Sequence, residues 1–363
     1  MGHGLRHPGD LVAWRRWHES RHPVRSAARA ARARLRPPIA TLADVLTPAA
    51  GGDLLVAVEA THASVDRAVV APLRHLPTDR TSIVCPVGWQ PPSPYAAHDR
   101  RTVSLDLLPT LVAPQAVLAA GHYTEIGAAA FALADDLGAQ FFVSQHGALT
   151  PFAPPLPRAA HLLAWSDADA EFWTAGRDDI TVTSTGSQLL WEAGLGFDTG
   201  AGRPAQPATT AGAGRPAQPA TSSGPLTYLG QGHAAEISRA RLVHAALTTC
   251  REHGAVYRPH PSERDVASRL ALAAYERAGI TVDTRGVPLV ELTSPIVSVF
   301  STGVLEAAAR GLDAWVDFPR PPAWLAEFWD RYAMSRLGNS PTIAPAKPDL
   351  EPARRIAEIV AAS

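Results

Sequence analysis

Short apolar segments alternate with helix-like segments along most of this 363-residue chain. Each apolar segment has the length of a strand, and most are followed by a pattern that favours a helix. Strands joined by helices in this way are typical of a parallel sheet with crossover connections. In the first half, strands are expected at 54–58, 82–85, 116–120, 141–143, 161–165 and 180–183, with helices at 125–137 and from Asp167.

A tandem duplication interrupts this pattern near the middle of the chain. Residues 200–211, GAGRPAQPATTA, are repeated almost letter for letter at 212–223, GAGRPAQPATSS. Neither copy has an aliphatic side chain larger than alanine, so the segment cannot bury enough apolar surface to offset its ordering entropy. We expect an extended or disordered linker over residues 200–224.

The alternation resumes after the linker and predicts a second α/β domain. The chain therefore divides into a basic extension over residues 1–40, an N-terminal α/β domain over 41–199 and a C-terminal α/β domain over 225–363. Both domains are expected to be of the Rossmann type. In the second domain, strands are expected at 226–229, 255–257, 280–282, 296–300 and 314–316, with helices at about 234–252, 262–278 and 304–310.

Composition narrows the possible classes of protein. The formal net charge of −1 excludes a broad nucleic-acid-binding surface, and a 46% hydrophobic content suits globular cores. Cys85 and Cys250 are too few and too far apart for a disulfide scaffold or a CxxC metal site, so both are expected to be reduced and buried. A cytoplasmic location is expected, because the sequence has no membrane-length apolar stretch and no signal-peptide core.

The N-terminal extension is rich in arginine, with Trp14 and Trp17 among the charges. One interpretation is a basic amphipathic segment over residues 5–36 that contacts an anionic membrane, such as the inner face of the plasma membrane. The alternative is a helical extension that is solvated or contacts another subunit.

Two strand ends in the C-terminal half carry anion donors. The strand at 255–257 stops at the stiff loop Arg-Pro-His-Pro-Ser, and a helix is expected to open at Ser262 with Glu263 in its first turn. The strand at 296–300 ends in Ser-Thr-Gly before another helix. Such strand ends bind anionic ligands in open α/β sheets. The candidate phosphate-binding residues are Arg258, His260, Ser262, Ser301, Thr302 and Gly303; Gly230 and Gln231 are candidates for close backbone approach, and Glu306 for a ribose hydroxyl.

The N-terminal half offers a candidate base in Gln145-His146-Gly147. His146 follows an apolar strand, so its imidazole can take a proton from an acceptor hydroxyl at the sheet edge. The alternative is a histidine hydrogen-bonded inside a domain interface, and His122 is a weaker candidate of the same kind. The DxD string at 167–169 is interpreted as helix capping after Ser166 rather than as a metal site.

Three motifs in the C-terminal half resemble bacterial GT-B glycosyltransferases of surface-polysaccharide synthesis: Tyr228-Leu229-Gly230-Gln231, Tyr-Arg-Pro-His-Pro-Ser-Glu at 257–263, and Ser301-Thr302-Gly303. They look most like the sialyltransferase and polysialyltransferase group, which carries a strand ending in LGQ, an HP motif and a later Ser-Ser/Thr pair. More distantly, the chain is similar to CDP-glycerol glycerophosphotransferases, whose His-Gly element resembles Gln145-His146-Gly147.

The resemblance implies a GT-B-like fold, in which two Rossmann-type domains face each other across a cleft. It also implies that His260, Ser301 and Thr302 hold the nucleotide phosphate and that His146 is the base. The acidic base motif of the sialyltransferases, two acids and then glycine, has its nearest counterpart in Asp135-Asp136-Leu137-Gly138, where Leu137 intervenes.

The expected function is metal-independent transfer of a sugar, sialic acid or a related acidic sugar, from a CMP- or CDP-linked donor to a cell-surface glycan. The nucleotide-sugar is a co-substrate, and no cofactor is expected. The alternatives are a polyol-phosphate transferase that uses a CDP-activated donor, a nucleotide-sugar epimerase, and an inactive nucleotide-binding scaffold of a polysaccharide-synthesis complex.

Overall fold

The computed structural model describes residues 4–21, 40–59, 62–195 and 222–363. The chain is an α/β protein that separates into two compact units. The first comprises Met1–Leu189 together with Pro348–Ser363, and the second comprises Leu190–Lys347. Most of the expected linker, and residues 22–39 of the basic extension, lie outside the described residues. In the part of the chain that the structure describes, no helix has the length and apolar character needed to cross a membrane.

The first unit is built on an eight-stranded mixed sheet. Its strands are β1 Leu42–Thr47, β2 Leu54–Ala57, β3 Thr81–Pro86, β4 Asp99–Ser104, β5 Ala116–Ala119, β6 Gln140–Ser144, β7 His161–Ala164 and β8 Thr181–Ser184. They are arranged in the order β4-β1-β3-β2-β5-β6-β7-β8. All six strands expected from the sequence are present, and β2, β3, β5, β6, β7 and β8 are parallel to one another.

Strands β1 and β4 were not predicted, and they make the sheet mixed rather than parallel. β1 runs antiparallel to both β3 and β4. Asp44 interrupts the apolar pattern of β1, yet it is only 2% exposed, because Arg100, Thr102 and the Gly88 N–H all donate to its carboxylate. β4 carries charged, exposed side chains, as sheet edges often do, and so lacks an apolar strand pattern.

Nine helices of at least eight residues occur in the described ranges. They are α1 Leu11–Ser20, α2 Glu125–Leu137, α3 Asp167–Thr174, α4 Gln188–Leu195, α5 Arg239–His253, α6 Val266–Arg277, α7 Thr302–Ala309, α8 Ala323–Arg331 and α9 Pro352–Ala361. Between β2 and β3, a helical segment changes pitch from Ala63–Val65 through a π turn at Asp66–Val70 to a 3₁₀ turn at Ala71–Arg74. Further 3₁₀ turns lie at Ser93–Ala97, Leu105–Thr110 and Leu289–Glu291.

The C-terminal helix α9 belongs to the first unit, so the expected domain boundary at 225–363 differs from the observed one. Alternate residues of the central strands point to opposite faces of the sheet. Leu54 and Val56 lie on one face, in the same buried cluster as Ile356 and Val360 of α9. Helix α2 covers the other face. α9 therefore completes the core of the first unit, a long-range contact that the linear alternation of elements does not reveal.

The second unit contains a smaller parallel sheet. Its strands are β9 Thr227–Leu229, β10 Val256–Arg258, β11 Ile296–Ser298 and β12 Ala314–Val316, in the order β10-β9-β11-β12. Single parallel bridges extend the sheet on both sides, from Tyr257 to Val282 and from Val316 to Arg336. Numbered along the chain, the six segments lie in the order 3-2-1-4-5-6, which is the strand order of dinucleotide-binding α/β sheets.

Candidate functional site

The strand order of the second unit reverses between β9 and β11. The chain leaves β9 towards β10 on one side, and β11 lies on the other side. Because all these strands are parallel, the loops at 230–233 and 299–301 emerge at the same edge of the sheet. A crevice at such a reversal point is where open α/β sheets bind ligands. Three of the six phosphate-binding candidates lie in the loop at 299–301 or in the loop that follows β10, namely His260, Ser262 and Ser301. Thr302 and Gly303 begin the helix that follows the loop at 299–301.

Gln231 joins the loops on the two sides of the reversal point. Its side-chain oxygen accepts a hydrogen bond from the Phe300 N–H at 2.8 Å and lies 3.1 Å from the Ser298 hydroxyl. The same hydroxyl lies 3.0 Å from the Leu229 carbonyl oxygen. Gln231 is 9% exposed. Its side-chain oxygen therefore fixes the two loops relative to each other, whereas the sequence predicts that Gln231 contacts a ligand.

Glu263 organises the loop that follows β10. Its buried carboxylate accepts hydrogen bonds from the Tyr257 hydroxyl at 2.8 Å and from the N–H groups of Gly232 and His260, each at 3.1 Å. A side chain at Gly230 would collide with Glu263 and with the Tyr257 hydroxyl. The glycine therefore makes room for this internal network, whereas the sequence suggested that it makes room for a ligand.

The helix expected to open at Ser262 begins four residues later. Asp265 is the N-cap of α6, and its side chain accepts from the Ser268 N–H at 2.7 Å. Glu263 cannot serve in a first helical turn, because its carboxylate is turned back towards Gly232 and His260. Likewise α5, expected from about residue 234, begins at Arg239. Both helices thus start later than expected, after longer loops at the carboxyl edge.

His260 is exposed, and its ring stacks on that of His233 with centroids 3.8 Å apart. Nδ1 of His260 accepts from the Ser262 N–H at 3.1 Å, so Nε2 carries the hydrogen in the neutral ring. His233 Nδ1 is enclosed and has no hydrogen-bond partner. Burial, with a contribution from His260, lowers the pKa of His233 to about 4, so that ring is neutral at pH 7. The sequence predicts a ligand contact for Gly230 and Gln231 in the same loop as His233, but it does not predict the histidine pair.

Ser301 and Thr302 begin helix α7 on the far side of the crevice. Ser301 is the N-cap, and its hydroxyl accepts from the Gly303 N–H at 3.1 Å. A side chain at Gly303 would lie 2.9 Å from side-chain carbons of Leu229 and Leu289, so this glycine permits close helix packing. The N–H groups of the first turn and the two hydroxyls lie at the carboxyl end of β11, as the sequence predicted.

Arg258 and Glu306 lie away from the centre of this crevice. Arg258 donates to the Val287 carbonyl, and its Nη1 lies 4.0 Å from Asp283, on the side of β10 opposite β9 and β11. Burial lowers the pKa of Arg258. Glu306 is 7% exposed within α7, and its charge acts on Arg310, the residue one turn later. The structure therefore groups His260 with His233, and Ser301 with Thr302, but directs Arg258 elsewhere.

The first unit has its own reversal point, between β2 and β5. Glu59 lies two residues after the end of β2, and its side chain lies against the first turn of α2. A side chain at Gly127 would collide with Glu59 Oε1 and with the Gly121 carbonyl. Oε1 is enclosed and has no hydrogen-bond partner. Burial raises the pKa of Glu59 to about 8, although the nearby Thr124 hydroxyl acts in the opposite direction.

His146 lies in the same region, at the carboxyl end of β6. Its Nε2 is 3.4 Å from the Tyr123 hydroxyl, and the two rings stack with centroids 6.4 Å apart. Nδ1 of His146 is enclosed and has no hydrogen-bond partner. Burial lowers the pKa of His146 to about 4, and His62 adds to the effect, whereas the nearby Ser144 backbone acts in the opposite direction. We call Glu59, Tyr123 and His146 the first-unit cluster. Of these three residues, only His146 is a functional candidate from the sequence.

Helix α1 packs beside this cluster. Trp14 donates from its indole N–H to the Phe152 carbonyl at 2.8 Å and contacts the Tyr123 ring edge-on at 5.8 Å. Trp17 stacks on the Phe152 ring with centroids 4.8 Å apart, and Arg15 donates to the Tyr123 carbonyl at 3.4 Å. The two tryptophans that suggested a membrane-facing segment therefore contact residues of the first unit.

His122, the weaker sequence candidate, also follows β5. Its Nδ1 is enclosed without a hydrogen-bond partner, and the ring lies edge-on to Phe131 at 5.4 Å. Burial lowers the pKa of His122 to about 4, and the charges of Arg15 and Arg177 contribute. His122 is therefore a neutral ring packed beside α2.

The acidic pair Asp135-Asp136 lies at the opposite edge of the sheet from Glu59. The pair is in the last turn of α2, which ends at Gly138 in a left-handed conformation, and Asp135 forms an ion pair with Arg158. Helix α2 begins at the carboxyl edge and runs to the other edge, so these acids are far from the reversal point. The DxD string caps α3 as expected, with the Ser166 hydroxyl accepting from the Asp169 N–H at 3.2 Å.

Two further features lie away from both reversal points. Cys85 and Cys250 are buried and form no disulfide, as expected, and burial raises the pKa of each thiol to about 12.

A cavity of about 260 Å³ in the second unit is lined by residues that precede β10 and the Val282 bridge, including Ala255 and Ile280. That cavity is at the amino ends of the strands, where α/β sheets do not place their ligands.

Glu59 could have been found as an acid directly after the apolar run Leu-Leu-Val-Ala-Val, and His233 as a histidine after a Gly-x-Gly turn.

Comparisons of the chain with protein-family models, with curated proteins and with solved structures gave no significant match.

Proposed function

We propose that the protein is a nucleotide-sugar-dependent glycosyltransferase with a GT-B-like arrangement of its two α/β units. The donor binds at the reversal point of the second sheet, and the acceptor glycan binds in the first unit. The observation that carries the proposal is the joining of the loops after β9 and β11 by Gln231, at the reversal point of a 3-2-1-4-5-6 parallel sheet. Nucleotides bind at this position in sheets of this order.

The donor phosphate is held by fixed hydrogen-bond donors. His260 contributes its Nε2–H, and Ser301 and Thr302 contribute hydroxyls at the start of α7. The first N–H groups of a helix have no partner within the helix and attract anions. As the sugar leaves, negative charge grows on the phosphate, and donors already in position stabilise that charge without rearrangement. This scheme requires no metal ion.

The histidine pair favours a phosphate over an uncharged ligand. His233 is neutral at pH 7 and presents one ring face to His260. A negative charge near His260 favours its protonated form, which gives a stronger hydrogen bond than the neutral ring. A CMP- or CDP-linked donor has the charge that this pair is suited to neutralise.

The first-unit cluster favours an enzyme over an inactive nucleotide-binding scaffold. A scaffold gains nothing from a carboxyl group whose pKa is raised to about 8 beside a tyrosine and a neutral histidine. Perturbed titratable groups at a reversal point are typical of acid–base chemistry. We place acceptor activation in this cluster, which contains His146, the base suggested by the sequence.

A thermal-shift screen against CMP, CDP, UDP and GDP tests the proposal, because a ligand that binds only the folded state raises the unfolding temperature. At least one nucleotide is expected to stabilise the protein, and the release of that nucleotide from its sugar conjugate measures turnover. His146→Ala should lower turnover and leave nucleotide affinity unchanged. No stabilisation by any of the four nucleotides would contradict the proposal.

A further inference from the structure

The reversal point of the first sheet gathers groups that can bind a hydroxyl. Glu59 follows β2, Tyr123 follows β5 and His146 follows β6, and all three strands are parallel neighbours or next neighbours. One oxygen of Glu59 and one nitrogen of His146 are enclosed without a hydrogen-bond partner. Buried polar groups are nearly always satisfied, so these two atoms are positioned to form hydrogen bonds with a ligand group.

The position of Glu59 is built into the fold. Gly127 leaves the space that the carboxyl group fills, because a side chain there would overlap Glu59 Oε1. Thr124 caps α2 by accepting from the Gly127 N–H at 3.1 Å, which fixes the turn beside the carboxyl group. The residue is still partly exposed as a whole, so a ligand can reach it.

The other titratable groups near Glu59 either contact another residue or are exposed. Glu125, in the same turn of α2, accepts from the Thr41 hydroxyl at 2.8 Å. Arg15 of α1 is directed to the Tyr123 carbonyl, and His62 is exposed on the segment that follows β2. Tyr123 and His146 contact each other, and burial raises the pKa of Tyr123, with a further contribution from the charge of Glu59. No ion pair with Glu59 occurs among the described residues, so its carboxyl group is held by packing and by a hydrogen bond with the Thr124 side chain rather than by a cation.

We propose that the first-unit cluster binds the attacking hydroxyl of a glycan acceptor and that Glu59 takes the proton from it, an assignment that rests on the proposed function. The acceptor oxygen forms a bond to the anomeric carbon of the donor sugar. The bond from that carbon to the nucleotide phosphate oxygen breaks, and its electron pair stays on the phosphate. The acceptor proton moves to the Glu59 carboxylate, while Tyr123 and His146 orient the hydroxyl.

Glu59 is better suited to take the proton than the other candidates. The pKa of His146 is lowered to about 4, which makes its imidazole a weak proton acceptor. The pKa of Glu59 is raised to about 8, within the range where general bases are most effective near neutral pH. Asp135 and Asp136 lie at the other end of α2.

The experiment measures nucleotide release from CMP-, CDP-, UDP- and GDP-linked sugars, with water as the acceptor, between pH 5.5 and 9.5. The full chain is compared with Glu59→Gln, Glu59→Asp and a matched control, Glu125→Gln. Glu59→Gln should lower the rate at least ~10²-fold with unchanged nucleotide affinity, Glu59→Asp should recover part of the rate, and Glu125→Gln should match wild type. The wild-type rate should rise with pH towards a plateau above about pH 8, and this rise should disappear in Glu59→Gln.

The outcomes separate the two proposals. If the wild-type protein binds none of the nucleotides, both the proposed function and the role of Glu59 are overturned. If a nucleotide binds but the wild-type protein releases none from its sugar conjugate, sugar transfer and the role of Glu59 are both overturned. If Glu59→Gln turns over as fast as wild type, only the role of Glu59 is overturned. A folded Glu59→Gln protein, shown by an unchanged circular dichroism spectrum, excludes loss of structure as the cause of a lower rate.

Discussion

The imidazole ring of His233 stacks on that of His260, with centroids 3.8 Å apart and planes inclined by 20°. This contact links the loop that follows β9 to the loop that follows β10. Glu263 reinforces the same link, since its carboxylate accepts from backbone N–H groups of both loops. The exposed ring of His260 is therefore held in place before any ligand arrives, which reduces the entropy lost on binding.

His260→Ala should weaken nucleotide binding without unfolding the protein. The variant removes one donor to the phosphate, and a hydrogen bond to a charged group contributes about 1.5–3 kcal/mol, roughly 10- to 100-fold in affinity. Isothermal titration with the nucleotide that gives the largest thermal shift measures the change. His244→Ala is the control, because His244 is also exposed in the second unit but lies on helix α5. Equal affinities of the two variants would remove His260 from the phosphate site.

Gly230→Ala should destabilise the second unit by about 1–3 kcal/mol, the usual cost of overpacking a filled site. The added methyl group meets the Tyr257 hydroxyl and the Glu263 carboxylate, which are bonded to each other at 2.8 Å. Urea denaturation measures the difference. Gly194→Ala is the control: among the described residues, its methyl group would approach only the Ala309 carbonyl, at 3.8 Å, and it replaces a glycine inside a helix. A stable Gly230→Ala protein would show that the Glu263 network tolerates displacement.

The parallel strands could be predicted because their residues are buried on both faces. Leu54–Ala57 and Ala116–Ala119 are fully buried and form continuous apolar runs, the pattern typical of central parallel strands. β1 could not be predicted, because Asp44 breaks its apolar run and is satisfied by Arg100 and Thr102, which belong to another strand. Local patterns carry no information about such partners.

The candidate site was predictable only in part for the same reason. The position of Ser301 and Thr302 follows from a strand, a turn and a helix in sequence. The functions of Gln231 and Glu263 depend on contacts with residues 69 and 31 positions away, Phe300 and Gly232 respectively. Glu263 resembles an ordinary acid of a helix start until the fold brings those N–H groups to it.

Glu59→Gln should change how stability depends on pH. Because the pKa of Glu59 is raised from 4.5 to about 8 in the folded state, its contribution to stability is fully present below pH 4.5 and is lost as the pH rises through 8. Each tenfold change in proton affinity corresponds to about 1.4 kcal/mol, so the free energy of unfolding falls by at most a few kcal/mol. Solvent screening makes this decrease smaller. Glutamine cannot ionise, so the variant should gain stability relative to wild type between pH 5 and 9.

Urea denaturation at pH 5, 7 and 9 measures this difference, with Glu125→Gln as the control. Glu125 occupies the first turn of α2 but is exposed, so its replacement should shift stability by the same small amount at each pH. A constant difference between Glu59→Gln and wild type across the series would show that Glu59 titrates alike in the folded and unfolded states.

Ile356→Ala should destabilise the first unit. Ile356 belongs to this unit although the 158 residues of the second unit, Leu190–Lys347, separate it in sequence from the rest of the first unit. Ile356 is 2% exposed and packs in the cluster with Leu54 and Val56, so its truncation leaves a cavity that costs about 2–5 kcal/mol. Ile343→Ala is the control, since Ile343 is 80% exposed and should cost no more than about 0.5 kcal/mol. Hydrogen exchange can assign the loss: amides of β2 and β5 should exchange faster in Ile356→Ala, while those of β9 and β11 keep their wild-type rates. Faster exchange in β9 and β11 instead would place α9 on the second unit.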